Sequence, residues 1–136
     1  MGPRSEYLIT SVPQFDVRLA KEPDKEGFFG KQIYADLAKS GPGAMHEANP
    51  HGFQAWYACD SRENLRKNVI PALRVGTVVL CDRFRPSMCY GARDISEIAG
   101  LMALNGQILG EYFVWPDAVL IFEVSVEMAL ERLKQK

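Results

Sequence analysis

The 136-residue sequence predicts an α/β fold in which a parallel sheet is wrapped by helices. Three observations carry that expectation. Thr77 to Cys81 is a short apolar, β-branched run, the pattern of a strand buried on both faces, and Ala118 to Val124 is a second run of the same kind. Segments of helical period stand before and after each of them. The first run ends directly on Asp82 and Arg83, and in sheets of this class ligands collect beyond the carboxyl ends of the strands.

Taken in order, Tyr7, Leu8, Ile9 and Val12 suit the tail of a helix, in a stretch too short and mixed to classify firmly. Phe15 to Ala20 alternates apolar and polar residues and reads as a strand, which Lys21-Glu22-Pro23-Asp24 ends. Phe28 to Lys39 places Phe29, Ile33, Ala35, Leu37 and Ala38 near helical spacing before Gly41-Pro42-Gly43 stops it. A loop at Asn49 to Gly52, with His46 and His51 as loop residues, leads into a long helix from about Phe53 to Leu73, kinked or finished by Pro71. After the Thr77–Cys81 strand, Arg83, Arg85 and Arg93 fall on a Pro- and Gly-containing stretch that reads as an anion-binding loop. Ser96 to Phe113 follows as a helix that Ser96 or Asp94 can cap; Trp115-Pro116-Asp117 breaks it, and Ser125 caps a last helix, Val126 to Lys134.

The length allows one domain with a small core. Sixteen Lys and Arg stand against 17 Asp and Glu, a net charge of −1, which removes any reason to expect non-specific binding to nucleic acid or membrane. Cys59, Cys81 and Cys89 form no CxxC pair and read as reduced core thiols. No signal-peptide region and no run of about 20 apolar residues occurs, so a cytoplasmic location is expected. Glu6, where a myristoylation motif needs Ser or Thr, argues against that modification of Met1-Gly2.

Four landmarks then recur in one order: Lys21-Glu22-Pro23 after the first strand, Tyr57-Ala58-Cys59-Asp60-Ser61-Arg62 on the long helix, Asp82-Arg83-Phe84 with Ser87, and Pro116-Asp117 leading toward Ala129-Leu130-Glu131-Arg132. With the step of 20 from Arg62 to Asp82, the chain resembles the thymidylate kinases among the P-loop nucleoside monophosphate kinases. The resemblance implies a three-layer α/β/α fold and transfer of a phosphoryl group from ATP to dTMP with Mg2+. Position by position it implies that Arg83 binds the acceptor phosphate and that Asp82 helps place the metal, its waters or that arginine. Arg62 would meet the pyrimidine edge, and Glu22 and Pro23 would shape the acceptor pocket, with Ser87, Tyr90 and Tyr57 as further substrate contacts. A homodimer through a helical face is implied in the same way.

The match is incomplete. No GxxxxGK[ST] loop occurs, the chain starts about twenty residues before Lys21, and it ends at Lys136, ahead of the family's arginine-bearing lid. The expectation is therefore a chain fragmentary at both ends, without the central P-loop strand, carrying mainly the acceptor side and improbable as a catalyst alone. The family's stacking aromatic sits four residues before its arginine, where this chain has Ala58; Trp56 and Tyr57 are the neighbouring aromatics. The family's Ser-x-x-Ala-Tyr-Gln reads Ser87-Met88-Cys89-Tyr90-Gly91 here, without the glutamine. Another deoxynucleotide or nucleoside as acceptor, and a non-catalytic nucleotide-binding or scaffold protein, remain alternatives.

Overall fold

A computed structural model of the protein describes residues 15–135, so the expectations for residues 5–12 and for Met1-Gly2 lie outside the described residues. Two strands form, β1 at Val17–Lys21 and β2 at Val78–Asp82. They pair in parallel, with Leu19 opposite Leu80 and Lys21 opposite Asp82. Parallel neighbours require a crossover, and here it is helical. It consists of α1 (Phe28–Leu37), α2 (Met45–Ala48), α3 (Pro50–Asn64), a π-helical turn at Leu65–Val69, and α4 (Ile70–Arg74). After β2 come a 3-10 segment at Arg85–Gly91, α5 (Ile95–Leu109) and α6 (Val126–Lys134). The α/β class with a parallel sheet is thus observed.

Local chemistry explains the boundaries. Asn49 accepts a hydrogen bond from Gly52 N at 2.9 Å, and Pro50 follows it in the first turn of α3, where a missing N–H costs nothing. Asp94 accepts from Ser96 N at 2.8 Å, so Asp94 rather than Ser96 is the cap of α5. Ser125 accepts from Met128 N at 3.2 Å and starts α6. The long helix does not simply kink at Pro71. It widens into the π turn at Leu65–Val69 and restarts with Pro71 in the opening turn of α4, where the helix does not need its N–H.

Leu65, Val69 and Leu109 form the fully buried centre, against which Ala20, Val79, Phe84, Tyr112 and Phe113 pack. This core lies where the π turn and the end of α5 meet the sheet, beside the packed pair α3 and α5.

Three expectations change. The strand at Val78–Asp82 is half-covered or exposed along its length instead of buried on both faces, because a two-stranded sheet among the described residues offers few neighbours to cover it. Ala118 to Val124 forms no strand; β propensity specifies a strand only where a ladder forms, and this run takes no place in the β1–β2 sheet. His46 and His51 are not loop residues, since they lie in α2 and in the first turn of α3. Among the described residues no helix is long and apolar enough to cross a membrane.

Candidate functional site

The parallel register sets the carboxyl ends of β1 and β2 side by side, and Glu22 N donates to the carbonyl of Asp82 at 3.2 Å. Lys21-Glu22-Pro23 and Asp82-Arg83-Phe84 are thereby one locus. Lys21 Nζ lies 3.4 Å from Asp82 Oδ2, and both side chains are largely exposed. The Glu22–Pro23 peptide is cis.

Glu22 turns inward. It is buried with Oε1 accepting from Ser61 Oγ at 2.8 Å and from Asn64 Nδ2 at 3.1 Å, both on α3. Its Oε2 meets Arg85 Nη2 at 3.4 Å. Arg85 is only 2% exposed; Nη1 donates to Asn105 Oδ1 at 2.7 Å, and Nη2 also donates to Ser61 Oγ. Its guanidinium carbon sits 4.4 Å from the centre of the Phe84 ring. One buried polar cluster thus ties the β1 turn, α3, the 3-10 segment and α5 together. Burial pushes the Glu22 carboxyl up, against the pull of Arg85 and the two donors, and burial likewise pulls the Arg85 guanidinium down.

Arg83 behaves differently. It has a left-handed backbone, φ 68°, a conformation that a residue with a side chain holds only when its surroundings impose it. Its guanidinium lies 5.2 Å from the centre of the Tyr90 ring, and Tyr90 is exposed. Of the three arginines read as an anion-binding loop, Arg85 is paired with Glu22 and Arg93 with Glu97 at 2.7 Å. Arg83 has no carboxylate partner among the described residues, which leaves its charge for an anion from outside. Its field reaches the half-buried Tyr57, opposing the rise that burial imposes on that phenol. Ser87 donates its backbone N–H to Phe84 O at 2.8 Å within the same turn.

Tyr57 also packs edge-on against Phe53 at 5.3 Å, and Trp56 leans on the same ring at 5.8 Å. Arg62 is carried elsewhere, its guanidinium 5.1 Å from the centre of the Tyr112 ring. The structure therefore gathers Glu22, Pro23, Asp82, Arg83, Ser87, Tyr90 and Tyr57 around the strand ends and lays Arg62 against Tyr112, in the 3-10 turn Gly110–Tyr112 that follows α5. Sequence reasoning did not single out Ser61, Asn64 and Asn105. The available signal was Asn105, standing among Leu101, Met102, Ile108 and Leu109 at helical spacing, a pattern that asks for a buried partner; Asn64, among charged and polar residues, carried no such signal.

Asp60, next to Ser61, is buried as well and accepts from Asp24 N at 3.0 Å. Burial, with Glu22 and Asp24 nearby, pushes its carboxyl up to about 6. Near the end of α1 Asp36 accepts from Met45 N, His46 N and His46 Nδ1, each at 2.9 Å, and is held down to about 2. Arg93 holds Glu97 down to about 2 in the same way. The signs combine. Raised groups favour folding below the unfolded carboxylate value of about 4, an advantage lost for Asp60 as pH rises through about 6. Depressed groups favour folding above about 4, an advantage lost as pH falls toward 2. Thermal denaturation between about pH 3 and 8 should therefore give a melting temperature that is highest near pH 4 and falls as pH rises toward 6; a melting temperature unchanged from pH 4 to 8 would show that the Asp60 carboxyl is not raised.

The free thiols do not enter this chemistry. Cys59 and Cys81 are half-buried and Cys89 is exposed, so only the first two fit the expected core setting. Burial pushes the Cys81 thiol up to about 11, far from a nucleophile's range. The described residues hold no group of three His, Cys, Asp or Glu arranged for a metal ion. Magnesium does not need one, because it is commonly held through one or two carboxylates together with phosphate oxygens and water, and the exposed Asp82 suits that role. A hollow of about 610 Å³ lies at the opposite, amino ends of the strands between Asp16 and Thr77, away from these groups.

A family model described as thymidylate kinase matches residues 5–136. The thymidylate kinase of Exiguobacterium sp. is 32% identical over 140 residues, covering 96% of this chain and 61% of the relative. That of Shouchella clausii is 40% identical over 82 residues, covering 58% of this chain and 37% of the relative. A probable thymidylate kinase of Pyrococcus abyssi is 32% identical over 128 residues, covering 90% and 57%. The chain thus spans from about a third to about three fifths of the length of these relatives. With the family pattern matched over nearly its whole length, the chain belongs to the thymidylate kinase family.

Proposed function

We propose that this chain forms the acceptor-nucleotide side of a kinase that phosphorylates dTMP to dTDP with ATP and Mg2+. The observation that carries the reading is Arg83, unpaired with any carboxylate among the described residues and held with a left-handed backbone where two parallel strands end. A guanidinium there offers a planar pair of donors to two phosphate oxygens of a nucleoside monophosphate. Phosphoryl transfer asks mainly for positioning and charge stabilisation, which a fixed arginine supplies. Asp82, tied to Lys21, would hold the metal through its waters, and Tyr57 would offer a ring face to the base. Glu22 and Pro23 form the buried turn beneath, and Ser87 and Tyr90 line the segment next to Arg83. The donor phosphates would be held by a part of the kinase not represented by any GxxxxGK[ST] within these 136 residues. A cytoplasmic homodimer is the setting that fits this reading.

Calorimetric titration of the chain with dTMP tests it directly. Arg83→Ala removes a charge-assisted contact worth about 1.5–3 kcal/mol, so dTMP should bind about 10- to 150-fold more weakly while thymidine, which lacks the phosphate, is little affected. Equal dTMP affinity in wild type and variant overturns the assignment of Arg83. Competition with dCMP, dGMP and thymidine separates a dTMP site from that of another acceptor, and a parallel titration with ATP separates an acceptor-only protein from a complete kinase.

A further inference from the structure

The arginine expected at the base, Arg62, lies over Tyr112, and a different guanidinium reaches the inner face of α3. That guanidinium belongs to Arg85, and it meets Ser61, the residue immediately before Arg62. Tyr57 stands four residues before Ser61, so the ring and the serine share one helix face. An aromatic face followed one turn later by a guanidinium is thus present after all, with the guanidinium supplied from the loop behind β2 instead of from the helix.

The donors of Arg85 are unevenly used. Nη1 is taken by Asn105 and Nη2 by Glu22 and Ser61, whereas Nε is buried and has no hydrogen-bond partner among the described residues. Buried N–H groups are rarely left without an acceptor, and each instance asks for an explanation. We propose that Arg85, not Arg62, is the arginine that reads the acceptor base, its Nε–H donating to the C4 carbonyl oxygen of a pyrimidine seated against Tyr57. This inference rests on the acceptor-site reading above. A carbonyl completes the donor set of Arg85; the amino group of cytosine at the same place sets donor against donor and leaves both unsatisfied. Because Nε is covered, the base reaches it only as the turn Arg85–Gly91 gives.

The test is the ratio of dTMP to dCMP affinity, measured by calorimetry on the 136-residue chain. Arg85→Lys keeps a positive charge opposite Glu22 but removes the Nε donor, and it should lower the ratio at least tenfold; Arg62→Ala should leave the ratio unchanged. Loss of the ratio in Arg62→Ala with retention in Arg85→Lys overturns the proposal. So does equal weakening of both nucleotides in Arg85→Lys, which is what a purely supporting role of Arg85 predicts. If Arg85→Lys does not fold, the double variant Glu22→Gln with Arg85→Gln removes both charges together and is read by the same ratio. A wild-type chain that binds neither nucleotide defeats the acceptor reading itself, an outcome distinct from a wild-type preference that Arg85→Lys leaves intact.

Discussion

Glu22→Ala should destabilise the protein by about 3–5 kcal/mol, the cost of stripping one partner from a buried ion pair. Arg85 would then keep a charge at 2% exposure with only Ser61 and Asn105 to face it, and Ser61 and Asn64 would each lose an acceptor. A domain of this size has a total stability of about 5–15 kcal/mol, so the loss is a large share of it. The cluster also joins four segments distant in sequence, Glu22, Ser61 with Asn64, Arg85 and Asn105, which makes the damage global rather than confined to one turn. Urea unfolding followed by circular dichroism reads it out. A midpoint shift equivalent to less than about 1 kcal/mol would mean that water replaces the carboxylate at little cost, and that the cluster is not closed.

Gly30→Ala should do comparable harm by a steric route. A methyl group at position 30 would stand 1.7 Å from the carbonyl oxygen of Asp24 and 3.1 Å from Asp60 Oδ1. Backbone cannot yield as a flexible side chain does, so either the turn at Asp24 or the start of α1 must move. Overpacking of this kind costs about 1–3 kcal/mol and more when main chain is displaced. Moving the turn would also break the bond from Asp24 N to Asp60 Oδ2, which fixes the segment following Pro23 on α3. Gly100→Ala is the matched control, since nothing lies within 4 Å of that position and alanine favours a helix. Soluble expression and the melting temperature should fall for Gly30→Ala and hold for Gly100→Ala; equal melting temperatures would place the Asp24 turn farther from α1 than the structure does.

Some of this was legible without coordinates because it depends on neighbours in sequence. Ser125 and Asp94 cap helices for reasons contained in three or four consecutive residues, and β1 and β2 fall within two residues of the runs that predict them. The position of Asp82-Arg83 at a strand end was legible for the same reason. The failures are of another kind. Ala118 to Val124 has strand composition, but a strand exists only in a ladder, and pairing is not encoded in the run itself. The long helix passed through Pro71 by widening into a π turn, a choice set by how Leu65 and Val69 enter the core.

Residue types, their order and the caps were determined by the sequence itself, and with them the family and the arginine at the end of β2. Which arginine faces inward was decided only in three dimensions. Successive residues on a helix point about 100° apart, so whether Ser61 or Arg62 turns to the strands depends on the phase that packing imposes on α3. Burying Leu65, Ala58 and Ser61 sent Arg62 to Tyr112 and opened the place that Arg85, more than twenty residues later, came to fill.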